Sequence, residues 1–171
     1  MLIEDFNHGL DVWIKELEGY DFVQLCTRPT LTSWSLGQVY MHLISDTKYY
    51  IEQIKICIVT DDHANDKASP EAKTMFLNND FPDVAIEGAP TNAYIAQPTS
   101  KEQLINDLFK LRMEMIEVSV KISVGPINGK AKHLGLGYFS ANEWLQFAEM
   151  HLRHHLRQKK RINRILNINT P

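Results

Sequence analysis

The stretch SANEWLQFAEMHLRHHLRQKKRINRI, residues 140–165, predicts a long amphipathic helix. Ser140 suits the N-cap, and Glu143 three residues later completes a capping box. One face of this helix repeats at alternating spacings of four and three residues, which is the helical period. Its members are Trp144, Ala148, His151, His155, Gln158, Ile162 and Ile165. The stretch therefore predicts a helix to about Leu166 whose buried face carries two imidazoles.

The three histidines of this helix are not equivalent. His151 and His155 lie on the apolar stripe, whereas His154 is turned roughly 80° to one side, because successive helical residues are about 100° apart. An i, i+4 pair brings two Cβ atoms within about 5–6 Å, close enough for both rings to bind one metal ion. The alternative is a hydrogen-bonded core pair, and periodicity alone does not choose. Leu152 follows His151 where a HExxH protease carries glutamate, which excludes that class.

Three further long helices are predicted from capping and apolar spacing. The first runs from Leu2 to about Leu17, and the second begins after Ser35 and ends near Val59. The third follows Thr99 and Ser100 and ends near Ile122. No segment shows a convincing strand pattern. These features predict an all-α fold, an antiparallel four-helix bundle that forms a single domain over residues 1–171.

A long irregular insertion, residues 60–98, separates helices 2 and 3 of this bundle. Connections between bundle helices usually have about 2–8 residues, so an insertion of this length is either a functional lid or a disordered linker. Its apolar residues favour a segment that packs on the domain. A one-turn helix is predicted from Glu71 to Leu77.

Composition limits the function classes. Hydrophobic residues make up 44% of the chain and charged residues 23%, as in soluble globular proteins. The net charge of −3 gives no general attraction to nucleic acid or an anionic membrane, and the basic cluster from Arg153 to Arg164 is interpreted as a solvated helix face. Glu4 and Asp5 exclude an ordinary signal peptide, and the two cysteines are isolated. We expect a cytoplasmic protein.

A mononuclear metal site needs a third protein ligand. His8 lies off the apolar face of the first helix, and His63 and His133 fall in predicted loops where we expect exposure to solvent. His42 lies in the second helix, but roughly 100° or more from the centre of its apolar stripe. Periodicity alone would not select it.

Two segments resemble the DinB/YfiT-like superfamily, most closely the branch with a long insertion between helices 2 and 3. They are SWSLGQVYMHL, residues 33–43, and HLGLGYFSANEWLQFAEMHLRHHLRQ, residues 133–158. In that superfamily one histidine of the second helix and an HxxxH pair of the last helix bind a divalent metal. The resemblance implies that His42, His151 and His155 are the ligands here. Zinc, nickel, iron and manganese are all compatible with three imidazoles.

The sequence leaves open the roles of three residues near these histidines. Asp46, one turn after His42, would orient that histidine, act as a fourth ligand, pair with an arginine, or be a solvated carboxylate. His154 suits a proton shuttle near pH 7, although its position on the helix favours a surface or inter-helix role. Gln158 is either a hydrogen-bond partner of a histidine or a simple helix former.

The resemblance implies a metal-dependent enzyme with a small-molecule substrate. Some members of the superfamily transfer or isomerise with a low-molecular-weight thiol, and several form homodimers. A transferase that uses such a thiol cofactor is therefore the first hypothesis, and a metal hydrolase is the next. The alternative from another class is a non-catalytic metal-binding bundle of a stress response. Neither a nucleic acid nor a membrane is expected as a partner, and no catalytic residue is assigned.

Overall fold

The structure is a computed structural model that describes residues 2–82 and 94–168. It confirms the prediction of an all-α fold. The helices are α1 (Leu2–Glu18), α2 (Phe22–Cys26), α3 (Leu36–Val59), α4 (Pro70–Asn78), α5 (Lys101–Ser123) and α6 (Ala141–Ile165), and two short strands are β1 (Lys130–His133) and β2 (Gly137–Ser140). Among these residues, no helix combines the length and apolar character that a bilayer span requires.

Side-chain capping fixes where the long helices begin. Ser35 and Gln38 form a reciprocal capping box at the start of α3, and Ser140 and Glu143 form another at the start of α6. Ser100 accepts a hydrogen bond from the backbone of the first turn of α5. Each cap satisfies backbone N–H groups that lack a partner inside the helix. The predicted starts of these three helices are therefore confirmed.

The four long helices α1, α3, α5 and α6 form a bundle in which α1 and α3 each pack against both α5 and α6. Two neighbouring pairs are antiparallel. Lys101, at the start of α5, donates hydrogen bonds to the carbonyls of Glu18 and Tyr20 at the end of α1. Cys57, near the end of α3, contacts the carbonyl of Phe139 just before α6.

The other two neighbouring pairs run in the same direction, which corrects the expectation of a simple antiparallel bundle. Trp13 of α1 donates a hydrogen bond to the carbonyl of Leu152 of α6. Further along both helices, Glu16 of α1 is ion-paired with Lys159 of α6. In the same way, Gln103 contacts Met41 near the starts of α5 and α3. The physical reason is the long connection over residues 60–100, which returns the chain to the end of the bundle where α3 starts.

A β-hairpin between α5 and α6 also differs from the prediction. β1 and β2 pair antiparallel, from Lys130 opposite Ser140 to His133 opposite Gly137. Strands of four residues are too short to show a period of two. Gly137 has a φ of 83°, and a Cβ there would lie 2.6 Å from the carbonyl oxygen of Lys67. This close backbone approach joins the hairpin to the segment that leads into α4.

His133 is likewise not the exposed loop residue that was expected. It lies in β1 and is half-buried. Its ring stacks on Phe139 at 5.3 Å between centroids and lies 5.6 Å from Trp144. The hairpin folds it onto the aromatic end of the core, which removes it from the set of candidate metal ligands.

The insertion packs on the bundle where the structure describes it. The predicted turn at Glu71–Leu77 is the longer helix α4, which Ser69 caps. Phe81 is 5% exposed, and Gln38 of α3 donates a hydrogen bond to the carbonyl of Ile95. Residues 83–93, which fall within the predicted insertion, lie outside the described residues.

The C-terminal basic cluster is not a uniformly solvated face. Lys159 is 1% exposed and is ion-paired with Glu16 of α1. The same ammonium lies 3.3 Å from the hydroxyl of Tyr20. A buried lysine is stable in its charged form only with such partners, so this pair fixes α1 against α6.

Lys159→Met is expected to lower the free energy of unfolding by about 1–3 kcal/mol, because it keeps the apolar stem but leaves the Glu16 carboxylate without its cation. Urea unfolding measures this difference. Lys160→Met is the matched control, since Lys160 is exposed and its loss should change the free energy by less than about 0.5 kcal/mol. Equal losses in the two variants would contradict the structural role of the buried pair.

Candidate metal centre

Three histidines from two helices meet in the interior of the bundle. His42 lies in the second turn of α3, and His151 and His155 lie one turn apart in α6. Their exposed fractions are 4%, 6% and 8%. The antiparallel packing of α3 against α6 brings the start of α3 beside the middle of α6. His42 faces the interior although it is off the apolar stripe of α3, because α3 contacts both α5 and α6.

The three rings point the same nitrogen at one another. Nε2 of His42 lies 3.2 Å from Nε2 of His151 and 3.1 Å from Nε2 of His155, and the last two atoms are 3.0 Å apart. Nitrogens bound at about 2.0–2.1 Å to one ion would lie about 3.0 Å apart at right angles and about 3.4 Å apart at tetrahedral angles. The observed triangle therefore fits three imidazole ligands of a single metal ion. We call these three residues the histidine triad.

Hydrogen bonding among the rings cannot account for all three contacts of the triangle. A neutral imidazole has one N–H and one acceptor nitrogen. Nδ1 of His155 lies 2.6 Å from Oε1 of Gln158, a contact that requires the proton on Nδ1 and leaves a lone pair on Nε2. If the other two rings have the same tautomer, three lone pairs converge on one point, which a shared cation stabilises. Gln158 thus orients one ring of the triad.

Burial keeps the three rings of the triad neutral. Removal of water from the rings lowers the pKa of His42 to about 4 and that of His155 to about 3. The pKa of His151 is also held well below its ordinary value, first by burial and then by the neighbouring imidazoles. All three rings are therefore neutral at pH 7, and ligation requires the neutral form.

Asp46 lies beside the triad. Its Oδ1 is 3.4 Å from Nδ1 of His42, and its Oδ2 is 3.7 Å from Nε2 of His151. The hydroxyl of Tyr50 lies 3.4 Å from the same Oδ2. The Asp46 side chain is 30% exposed, so this carboxylate, unlike the triad, is partly open to solvent. Burial raises the pKa of Asp46 to about 6, an effect that the Tyr50 hydroxyl reduces.

Aromatic rings surround the triad. The ring of Trp34 lies 5.0 Å from that of His42, the ring of Tyr50 lies 5.5 Å from that of His151, and the ring of Phe81 lies 6.3 Å from that of His151. Tyr49 packs on Tyr50 with 42% of its surface exposed. The Asp46–Tyr50 contact was missed in the sequence, although its i, i+4 spacing is the signal that would have found it.

His154 does not join the triad nitrogens. Its ring packs on Phe81 at 5.5 Å, and its Nδ1 accepts a hydrogen bond from Arg157 at 3.3 Å. Arg157 and Arg153 also bind the Asp80 carboxylate. The predicted separation of His154 from its two neighbours agrees with this arrangement, in which His154 helps to hold residues 80–81 against α6.

The remaining histidines lie elsewhere. His8 is exposed on α1, and His63 is paired with Asp66 at 2.8 Å. A surface concavity between α3 and the hairpin is lined by His63, Lys130 and Tyr138 among others, and it includes no residue of the triad. Within the described part of the chain, His42, His151 and His155 form the one group of metal-binding side chains in which all ligand atoms lie close together.

Comparison with known proteins gives one family. The sequence profile described as the DinB superfamily matches residues 8–158. No curated protein and no solved structure matches the chain. The matched range includes the whole histidine triad and most of the bundle, and it ends at Gln158, which orients His155.

Proposed function

Because the chain belongs to the DinB superfamily, we propose that it is a metal-dependent enzyme in which His42, His151 and His155 hold one divalent metal ion. The reaction we propose is transfer of a low-molecular-weight thiol to a small electrophile. The observation that carries this proposal is the convergence of three neutral, buried Nε2 atoms beside a partly exposed carboxylate. Three imidazoles do not select among zinc, nickel, iron and manganese.

A metal ion at this position would act as a Lewis acid that lowers the pKa of a bound thiol or water. The chain's own contribution starts with rigidity. Gln158 holds the ring of His155 at 2.6 Å, and the carboxylate of Asp46 lies 3.4 Å from the ring of His42. A ring held by a hydrogen bond, as that of His155 is, needs no rearrangement when a substrate binds.

Asp46 is the residue that we propose accepts the proton of the incoming thiol. Its Oδ2 faces the point on which the triad converges, at 3.7 Å from Nε2 of His151. Its raised pKa of about 6 lies near neutral pH, where a base both takes up and releases a proton efficiently. Trp34 and Phe81 flank the triad with apolar surface and would exclude water from the electrophile.

The same site also suits two alternative functions. Hydrolysis would use the same base and the same metal, with water in place of the thiol. A non-catalytic bundle is favoured by the low exposure of the triad, 4–8%, and it requires Asp46 to act as a fourth ligand that closes the site. Catalytic sites keep an open position, whereas structural sites do not.

The first experiment is an activity screen of reconstituted protein. Metal-free protein is loaded separately with zinc, nickel, iron or manganese, and consumption of small thiols is followed in the presence of aryl halides, epoxides and activated alkenes. Ester and amide substrates test hydrolysis in parallel. Turnover with a thiol in at least one metal form, absent from His155→Ala, is the expected result. Turnover of esters alone would favour the hydrolase instead.

Asp46→Asn is expected to lower the turnover rate about 100-fold while the metal content stays unchanged, because the amide keeps the shape of the carboxylate but is not a base. Metal analysis and turnover of the same preparation measure the two quantities. Loss of metal from Asp46→Asn would identify Asp46 as a fourth ligand and would contradict the catalytic role. Glu52→Gln, an exposed carboxylate later in α3, is the matched control and should keep both metal and activity.

A further inference from the structure

One row of aromatic rings connects the metal centre to the surface of α3. Its four rings pack in the order Tyr49, Tyr50, Phe147 and Phe81, with centroids 6.0 Å, 5.3 Å and 4.8 Å apart. The rings of Tyr50 and Phe81 also lie 5.5 Å and 6.3 Å from that of His151, so the row borders the triad. Three of its members are each 5% exposed, whereas Tyr49 is 42% exposed. Tyr49 is therefore the member of the row that a molecule arriving from solvent can touch.

Helical spacing places Tyr49 beside the proposed base. His42, Asp46 and Tyr49 have the spacing i, i+4, i+7, which puts all three on one face of α3. At a rise of about 1.5 Å per residue, Tyr49 lies about 4.5 Å further along the helix axis than Asp46. The Asp46 side chain is 30% exposed. Asp46 and Tyr49, both open in part to solvent, are thus neighbours on the helix face that carries a histidine of the triad.

The exposure of Tyr49 differs in its setting from that of a scattered surface aromatic. Phe109 of α5 is 47% exposed, and single exposed apolar side chains of this kind are normal on a protein surface. Tyr49 shares a helix face with Asp46. Its ring is also held by edge-to-face contacts with Tyr50 and, at 5.9 Å, with Trp144. A ring that is already held in place loses little conformational freedom when a ligand stacks on it.

The charges near Tyr49 favour a neutral ligand. Asp46 lies beside two rings of the triad, and within the described residues no lysine or arginine pairs with its carboxylate. Arg153 and Arg157 of α6 are paired with Asp80 instead. An anionic group held against Tyr49 would lie near the Asp46 carboxylate, and like charges repel.

We propose that Tyr49 is the platform on which the electrophile stacks, and that this electrophile is a neutral, planar aromatic molecule. The inference rests on the proposed thiol transfer and names its substrate class. Two aromatic rings attract each other in offset-stacked or edge-to-face arrangements, beyond the effect of removing apolar surface from water. A saturated ring of the same size gains only the second effect. Tyr49 therefore determines specificity, and it takes no part in proton transfer.

An aryl halide illustrates the reaction that this platform serves. The thiol sulfur forms a bond to the ring carbon that carries the halogen, and the carbon–halogen bond breaks. The halide leaves with the electron pair of that bond, and the thiol proton passes to Asp46. The step needs no oxidant or reductant. Stacking on Tyr49 holds the ring about one helical turn from the carboxylate, so the contribution of Tyr49 is orientation.

Binding of nitrobenzene and of nitrocyclohexane to the full chain as purified tests the platform without any turnover. The two neutral probes share the nitro group and differ in whether the ring is aromatic. Titration followed by nuclear magnetic resonance gives both dissociation constants. We expect nitrobenzene to bind at least about 5-fold more tightly than nitrocyclohexane. Tyr49→Ala should weaken nitrobenzene binding about 5–10-fold and change nitrocyclohexane binding by less than about 3-fold.

Two further variants make the binding experiment specific. Tyr49→Phe keeps the ring and should bind nitrobenzene within about 2-fold of the wild type. Phe109→Ala removes a similarly exposed ring from α5 and should leave both dissociation constants unchanged. Equal binding of the two probes by the wild type, or unchanged nitrobenzene binding by Tyr49→Ala, overturns the proposal. A Tyr49→Phe variant as weak as Tyr49→Ala assigns the contact to the hydroxyl and overturns stacking. Circular dichroism shows that each variant is folded.

Kinetics separate this inference from the proposed function. In an active metal form, Tyr49→Ala should raise KM for chlorodinitrobenzene about 5–10-fold, with kcat and the KM for epoxybutane within about 2-fold of the wild type. A fall in kcat at unchanged KM contradicts a binding platform. Absence of turnover with every thiol, together with the expected difference in probe binding, would refute the thiol transfer and support the aromatic site.

Discussion

Replacement of His151 or His155 by alanine is expected to abolish metal binding. Wild-type protein should contain about one divalent metal per chain, and the affinity of either variant should fall by more than roughly 100-fold, because even partners that only orient metal ligands are worth about 10–100-fold. The reason is the geometry of the triad, in which each Nε2 lies within 3.2 Å of the other two. Elemental analysis and competition with a chelating dye measure content and affinity.

His154→Ala is the matched control, because it removes an imidazole from the same turn of α6. Its ring packs on Phe81 and lies 5.1 Å edge-on from the ring of His155, but its nitrogens are not among the converging ligand atoms, so metal content should stay near one per chain. His42→Ala should behave like the two α6 variants, although it lies on another helix. Unchanged metal content in all three triad variants would rule out the site, and loss of metal from His154→Ala alone would place the ligands elsewhere.

The α6 half of the triad could be predicted from helical phase. The apolar stripe from Trp144 to Ile162 is inward-facing at almost every position, and His151 and His155 lie on it. The starts of α3 and α6 could also be predicted, from the capping boxes at Ser35 and Ser140. Capping hydrogen bonds and apolar spacing depend only on residues that are close in the sequence, so they can be predicted without knowledge of the tertiary structure.

His42 could not be found in this way. Its position on α3 is set by contacts with two neighbouring helices, α5 and α6, and a stripe analysis assumes a single buried face. The family resemblance supplied the residue, and the structure supplies the reason. Lys159 is the opposite case. Lys159 belongs to a basic cluster that was predicted to be solvated. The sequence does not show that Glu16 of α1 pairs with it in the interior.

Acid is expected to unfold the metal-free protein far more readily than its overall composition suggests. The folded-state pKa of His42 is about 4 and that of His155 is about 3, and that of His151 is also strongly lowered. In the unfolded chain each of these rings has a pKa near 6.5. Below about pH 6.5 the unfolded chain therefore binds more protons than the folded chain, and the free energy of unfolding falls as the pH falls.

Asp46 has the opposite effect on the free energy of unfolding as the pH falls, so its contribution must be compared with that of the three imidazoles. Its pKa is raised to about 6 in the fold, so its protonation between about pH 6 and 4 stabilises the folded state. One carboxyl raised by about two pKa units cannot offset three imidazoles, two of which are lowered by at least that much. We expect a net loss of several kcal/mol between pH 7 and pH 4, on the scale of 1.36 kcal/mol per pKa unit and proton.

Urea unfolding of chelator-treated protein at pH 7.5 and at pH 5 measures this loss. His155→Leu replaces a ring whose pKa is about 3 in the fold with an apolar side chain, so the free energy of unfolding of this variant should depend less steeply on pH, by about one proton. His8→Leu, at an exposed position of α1, should keep the full dependence of the wild type. Equal stability of the metal-free wild type at the two pH values would contradict this prediction, because the triad would then bind protons as readily in the folded chain as in the unfolded chain. A pH dependence in His155→Leu as steep as that of the wild type would show that His155 does not contribute to the acid sensitivity.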